Sequence, residues 1–194
     1  MYNLPVSVMI EDEEFPIRNN GDYRMVLDCF SALEDVDLAP QERLCAALII
    51  FYNNVHDIDE LDKLRDIQEA VRQMYNFFNC NRPDGVGKTS HHKLIDWELD
   101  SQLICSAVNK VANTEVRALP YLHWWTFMGY YSAIGECPLN TIIGIRDKLM
   151  KGKKLEKFEK EFKRENPEYF VWNSTSVEAT EADKLARELW NSEV

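Results

Sequence analysis

The sequence predicts a mainly α-helical protein, a multi-helix bundle with a short N-terminal β-hairpin and a C-terminal helical tail. Glycine and proline are scarce, with seven of each among 194 residues, which disfavours turn-rich β architectures. From residue 22 onward, apolar residues recur at spacings of three and four, as on one face of a helix. We therefore expect a helical domain with the hairpin over residues 1–170 and the tail over residues 171–194.

The predicted hairpin lies at the N-terminus. Two β-prone runs, residues 5–10 and 15–17, flank the acidic cluster at residues 11–14, which is typical of a hairpin tip. A lone hairpin is not stable in water. We expect it to pack on the helices that follow.

The first three helices are predicted from apolar spacing and from residues that begin or end helices. One begins at Asp22 and breaks near residues 35–37, and the next has Pro40 in its first turn. A third begins near Asp57 or Asp59 and continues to Phe78. Residues 79–93 carry the densest turn signals of the chain, which predicts a mobile loop.

Five further helices are predicted, over residues 96–111, 120–134, 138–149, 151–164 and the C-terminal tail. The helix over residues 151–164 alternates charge around an apolar stripe that could dock on another surface; the stripe consists of Leu155, Phe158 and Phe162. Thr175 and Glu178 have the spacing of a capping box for the last helix. That helix would carry Leu185, Leu189 and Trp190.

The net charge bounds the possible partners. Lysine and arginine total 22 against 33 acidic residues, so the net charge is −11. Such a surface repels phosphate backbones and anionic membranes, and we expect neither nucleic acid nor a membrane as a partner. The N-terminal residues show no signal-peptide pattern, which predicts a cytoplasmic protein. Five widely spaced cysteines favour reduced thiols over disulfides or a zinc site.

No constellation of catalytic or cofactor-binding residues stands out. The Gly-Lys-Thr sequence at residues 87–89 resembles the end of a phosphate-binding loop, but Arg82 stands where that loop needs glycine and Pro83 removes an amide. His91 and His92 are adjacent, so they cannot chelate a metal as a helical pair can. We expect no enzyme activity, no cofactor and no metal.

The aromatic segment at residues 117–146 is the unusual feature of the chain. Six large side chains crowd one helix: Trp124, Trp125, Phe127, Met128, Tyr130 and Tyr131. Successive side chains of a helix diverge by ~100°, so these rings cannot all point into one core. Either the helix is the centre of the core, or some rings meet a second surface. That surface would be the 151–165 helix, the C-terminal helix or a partner protein.

The candidate partner-binding residues come from this segment. Aromatic clusters are favoured at protein contacts, and His123 and Arg146 could orient the rings by hydrogen bonding or stacking. Arg146 could equally form an ordinary ion pair with a carboxylate in the front half of the chain. The candidates are His123, Trp124, Trp125, Tyr130, Tyr131 and Arg146.

Several short motifs carry a family resemblance. In order, they are the LPVSV opening with FPI at residues 15–17, IDWE at residues 95–98 with Asp100, LHWWTF at residues 122–127 and IIGIR at residues 142–146. In this order and spacing the chain resembles the bacteriophage gene-product-fifteen proteins, small acidic proteins of tailed phages and prophages of Gram-positive bacteria. It departs from them at residues 101–105, which replace a tyrosine-rich run, and at residues 12–14, which replace a glycine turn.

The resemblance implies a role in tail morphogenesis. Such proteins, encoded near the tape-measure gene, look like tail-assembly chaperones, and are typically absent from the finished virion. The partners implied are phage tail proteins: the tape-measure protein, the tail-tube protein and a neighbouring chaperone. A structural tail or connector component of the virion is the alternative. The sequence leaves the oligomeric state open.

Overall fold

A computed structural model describes residues 3–82 and 94–171, and they are mainly α-helical, as predicted. These residues fall into two compact units. The first contains residues 3–82 and 121–126, and the second contains residues 94–120 and 127–171. The tail from residue 172 and most of the predicted loop, residues 83–93, lie outside the described residues.

The N-terminal hairpin is present. Strands β1 (Ser7–Ile10) and β2 (Glu13–Pro16) pair antiparallel. The turn is shorter than the predicted tip, because only residues 11 and 12 separate the strands. Phe15 is buried, so the hairpin places apolar residues in the interior of the first unit, as expected for a hairpin that depends on neighbouring helices.

Helices α1 (Tyr23–Glu34) and α2 (Pro40–Phe51) follow where the sequence predicts them. The Asp22 side chain accepts a hydrogen bond from the Arg24 amide and so caps α1. At the C-terminal end of α2, the Arg18 guanidinium donates to four backbone carbonyl oxygens, those of Ile49, Ile50, Tyr52 and Val55. The Ile49 and Ile50 carbonyls belong to the last turn of α2, which leaves them without partners in the helix.

The predicted third helix is two helices, so that prediction is wrong in its first half. A 3-10 helix covers Ile58–Leu64, Arg65 then adopts a positive φ of 56°, and α3 covers Ile67–Phe78. Two aspartates each cap a helix start: Asp57 accepts from the Glu60 amide and Asp66 from the Glu69 amide. Apolar spacing continues through the break, which is why periodicity alone missed it.

The second unit contains α4 (Ser101–Ala112), a 3-10 helix at Val116–Ala118, α6 (Pro138–Met150), α7 (Lys157–Glu165) and a 3-10 helix at Pro167–Phe170. Helix α4 begins five residues later than predicted, because the Asp96 side chain accepts from the amides of Glu98 and Leu99 and holds a turn there. Helix α6 matches its prediction closely.

Helix α5 (Trp124–Ser132) carries the aromatic segment and is shorter than predicted. Its first three residues belong to the first unit and the others to the second. The candidate residues of α5 are therefore divided between the two units.

The helix predicted over residues 151–164 begins only at Lys157, so Leu155 precedes α7, and its apolar stripe is only partly correct. Leu155 and Phe162 are half-buried, but Phe158 is 57% exposed. Glu159 is buried instead, and its carboxylate accepts from Lys148 Nζ at 2.6 Å. This ion pair, in which only Glu159 is buried, turns a charged residue inward and leaves Phe158 facing outward.

The cysteines are free thiols, in keeping with the prediction. Cys29 is fully buried, and the other four are half-buried. Burial raises the pKa of the Cys29 thiol far above its ordinary value, so it remains protonated at neutral pH.

Candidate functional site

Trp124 and Trp125 both bind the C-terminal end of α3. The indole N–H of Trp124 donates to the Phe78 carbonyl oxygen, and that of Trp125 donates to the Phe77 carbonyl oxygen, each at 2.9 Å. The last carbonyls of a helix have no partner within it. The Phe77 and Phe78 carbonyls point in different directions around the axis of α3, just as the side chains of Trp124 and Trp125 diverge around α5. Two adjacent indoles can therefore reach two adjacent carbonyl oxygens. The second surface that these two rings require is α3.

The two tryptophans differ in exposure. Trp124 is 1% exposed and packs edge-on against Phe30, with 5.8 Å between ring centroids. Trp125 is half-buried, and its ring lies 6.0 Å from that of Phe77. Trp124 is a core residue of the first unit, whereas Trp125 keeps part of its ring exposed.

His123 connects the N-terminal segment to the start of α5. Its Nε2 atom lies 2.9 Å from the Pro5 carbonyl oxygen, and its Nδ1 atom lies 3.0 Å from the Trp125 amide nitrogen. A carbonyl only accepts and an amide only donates, so Nε2 carries the proton and Nδ1 accepts. Burial lowers the pKa of His123, although the bond to Pro5 and the nearby Asp22 carboxylate oppose this. We call His123, Trp124 and Trp125 the tryptophan clamp.

Gly21 is a residue that sequence reasoning missed. Its φ is +76°, and a Cβ atom there would lie 2.7 Å from Phe77 Cζ and 3.0 Å from His123 Nε2. The adjacent Asp22 carboxylate accepts from the Leu122 amide, which holds the clamp against the start of α1. A glycine just before a helix start, in a chain with few glycines, was the signal that could have identified it.

Arg146 forms a buried ion pair in the second unit. Its Nη1 and Nη2 atoms lie 2.6 and 2.9 Å from the two carboxylate oxygens of Asp100. The same guanidinium donates to the carbonyl oxygens of Leu94 and Tyr169. The ion-pair alternative is therefore present, but a carboxylate in the front half is not the partner. Asp100 precedes α4, and α4 contacts α6, so the middle of the chain supplies the carboxylate.

The remaining candidates, Tyr130 and Tyr131, follow each other on α5; together with Trp97, which contacts Tyr131, they are the rings that we call the aromatic patch. All three side chains are half-buried, and the rings of Trp97 and Tyr131 lie 5.8 Å apart. Burial raises the pKa of Tyr131 to about 12, and the Asp100 carboxylate adds to the effect. The Tyr131 phenol is therefore uncharged at neutral pH.

The six predicted site residues are thus divided between the units. His123, Trp124 and Trp125 lie in the first, and Tyr130, Tyr131 and Arg146 lie in the second. His123, Trp124 and Arg146 are buried, while the other three are half-buried. Asp100 was noted in the sequence only as part of a motif, and the buried ion pair gives it a structural role.

Residues 3–82 and 94–171 contain neither a membrane-spanning helix nor a metal-binding cluster. No helix there has the length and apolar character needed to cross a bilayer, and no group of three or more potential ligand side chains could hold a metal ion. The Gly-Lys-Thr sequence and the adjacent histidines fall in residues 83–93, outside this part of the chain.

Comparison with known families identifies the chain. The family model described as bacteriophage Gp15 protein matches residues 1–170. The chain belongs to this family. Gp15 family membership makes it a phage protein of virion assembly or structure. Neither the curated proteins nor the solved structures include a match.

Proposed function

We propose that this Gp15 family protein is a tail-assembly chaperone. It binds and escorts tape-measure or tail-tube protein during morphogenesis in the cytoplasm of a Gram-positive host, and it leaves before the virion is complete. One observation carries the proposal. The rings of the aromatic patch stay partly exposed, as does Trp125, whereas Trp124 and Phe127 of α5 are each 1% exposed.

The patch has the chemistry of a protein contact. Tyrosine and tryptophan combine a large apolar ring with a polar atom, and they are enriched where proteins meet. Leu99, another apolar residue of the second unit, is 38% exposed. A tape-measure chain has amphipathic helices that nothing buries until the tube forms, and such a helix fits an aromatic surface.

The charge of the chain suits an escort. A net charge of −11 keeps neighbouring complexes apart by like-charge repulsion. Because the escorted protein must later be released, individual contacts should be modest, and several copies along one long chain would supply avidity. The proposed role needs no catalysis, cofactor, nucleic acid or membrane.

Co-expression with the tape-measure protein encoded beside it tests the proposal. We expect the tape-measure protein to become soluble and to co-purify with this chain, and we expect purified particles to lack the chain. A tape-measure protein that stays insoluble and unbound would contradict the proposal. Stoichiometric presence in particles would favour a structural tail or connector component instead.

A further inference from the structure

Strand β1 has one edge without a strand partner in the described part of the chain. The Ile17 amide donates to the Val6 carbonyl oxygen at 2.8 Å, which continues the ladder between β1 and β2. In an antiparallel pair, alternate residues point their N–H and C=O groups toward the partner strand. Val6, Val8 and Ile10 therefore face β2, and the backbone groups of Ser7 and Met9 point to the opposite edge.

The side chains along this edge are exposed and apolar. Leu4, Val6 and Met9 are 44%, 47% and 49% exposed. Proteins usually shield such edges with charged residues, proline or a bulge. Residues 6–10 contain no charged residue, proline or glycine. The outer edge of β2 differs, because the Pro16 carbonyl oxygen accepts from the Asn53 amide and Ile17 bridges to Tyr52.

We propose that β1 pairs antiparallel with β1 of a second copy of this chain, around a two-fold axis at Val8. Ser7 then lies opposite Met9 of the second copy, and each pair exchanges two N–H···O bonds. The four bonds join the two hairpins into one four-stranded sheet. The register places Val6 of one copy beside Ile10 of the other, but Ile10 is only 1% exposed in its own chain, so the pairing depends on the four hydrogen bonds.

Both ends of the proposed pairing are defined by the structure. Before Ser7, Pro5 has no N–H and its carbonyl oxygen accepts from His123. After Met9 and Ile10, Glu11 has a φ of 53° and leaves the extended conformation. The pairing is therefore complete with four bonds and cannot extend into a fibre along the strand.

The acidic hairpin tips favour antiparallel over parallel pairing of the two β1 strands. Each hairpin tip carries acidic residues at positions 11–14. Antiparallel pairing places the two tips at opposite ends of the sheet, whereas parallel pairing would bring like charges together. The strand is self-complementary under a two-fold axis, as a symmetric dimer requires. This inference does not depend on the proposed chaperone function.

The test combines molecular mass with amide exchange on the full chain. Light scattering after size-exclusion chromatography should give twice the monomer mass at high concentration. NMR-detected hydrogen exchange should show the Ser7 and Met9 amides protected in the dimer and unprotected after dilution. The Val8 and Ile10 amides, which face β2, should stay protected in both states and serve as an internal control.

Two variants with matched controls locate the interface. Ser7→Pro removes an outward N–H that β2 does not use, and an edge position tolerates proline. This variant should raise the dissociation constant of the dimer about tenfold or more, because each dimer loses two of its four hydrogen bonds. Ser7→Ala keeps the N–H and should leave the dissociation constant unchanged. Met9→Lys places a charge on the edge and should also weaken the dimer. Val36→Lys introduces the same charge at another exposed apolar position and should leave the dimer unchanged.

The results of these experiments show whether a second copy or a segment of the same chain covers the outer edge of β1. Twice the monomer mass together with concentration-dependent protection of Ser7 and Met9 supports the proposal. A monomer at all concentrations overturns it, as does a dimer in which these two amides stay unprotected. Protection that persists in the monomer also overturns it, because a segment of the same chain would then cover the edge.

Discussion

The Nε2 atom of His123 lies 2.9 Å from the carbonyl oxygen of Pro5, 118 positions away in the sequence. Together with the indole bonds of Trp124 and Trp125 to α3, this contact joins the N-terminal segment, α3 and the start of α5. The HWW sequence is therefore a clamp that holds the first unit together. Its three side-chain N–H groups donate to backbone carbonyl oxygens of that unit.

Stability should depend on the protonation of His123. Its pKa is lowered in the folded chain, chiefly by burial, so folding favours the neutral ring. The contribution is complete above the unfolded value of about 6.5 and is lost as the pH falls from there through the lowered folded value. Urea unfolding between pH 8 and pH 5 should show this decline, because a protonated Nδ1 can no longer accept from the Trp125 amide.

His123→Asn should flatten the decline within that window. The exposed His56 provides the matched control, and His56→Asn should leave the pH dependence as it is. If both variants lose stability with falling pH as steeply as the wild type, the His123 contacts do not control the stability of the first unit between pH 8 and pH 5.

The indole bonds should contribute to stability separately from the rings. Trp124→Phe keeps an aromatic ring but leaves the Phe78 carbonyl without its donor, and a buried unsatisfied carbonyl costs about 1–3 kcal/mol. Trp125→Phe should cost less, because that ring is half-buried and water can replace the donor. Equal losses, or no loss at Trp124, would contradict this assignment. Chemical denaturation measures both.

Gly21→Ala should destabilise the chain by about 1–3 kcal/mol. The added Cβ would collide with Phe77 and crowd His123, and the positive φ disfavours alanine. Gly144 in α6 is the matched control, since a Cβ there meets nothing within 4 Å. Gly144→Ala should stabilise by about 0.5–1 kcal/mol through helix propensity. Thermal unfolding of the two variants should therefore shift in opposite directions.

The Arg146–Asp100 pair should behave as a coupled unit. Arg146→Met or Asp100→Leu alone leaves a buried charge without its partner, which costs about 3–5 kcal/mol. The double variant should lose much less than the sum of the two single losses, because neither charge remains. A double-mutant cycle by urea denaturation measures the coupling. Additive losses would show that the two side chains do not depend on each other.

The helices could be predicted where apolar spacing and capping residues agree. Asp22 and Pro40 begin α1 and α2 as expected. The prediction of one continuous third helix was wrong because Asp66, a second capping residue, begins a new helix inside a continuous apolar pattern. At α4, the Asp96 side chain holds a turn that periodicity cannot reveal.

The site was only partly predictable, because its contacts are long-range. The angular argument showed that adjacent rings of α5 need a second surface, but it could not identify the end of α3 as that surface for Trp124 and Trp125. Likewise, the sequence offered an ion pair for Arg146 without indicating that Asp100 would be buried beside it. Side-chain bonds to backbone carbonyls have no local pattern in the sequence, since any residue can supply the acceptor.

The most direct test of the proposed function measures tail-protein binding by a patch variant. Tyr130→Ala with Tyr131→Ala removes two of the three patch rings, and Tyr121→Ala removes a 43% exposed tyrosine from the other unit as the control. Circular dichroism must first show that each variant keeps its fold. We expect the double variant to bind the co-expressed tape-measure protein at least about tenfold more weakly, with the control unchanged. Unchanged binding by a folded double variant would contradict the proposal that this patch holds the tail protein.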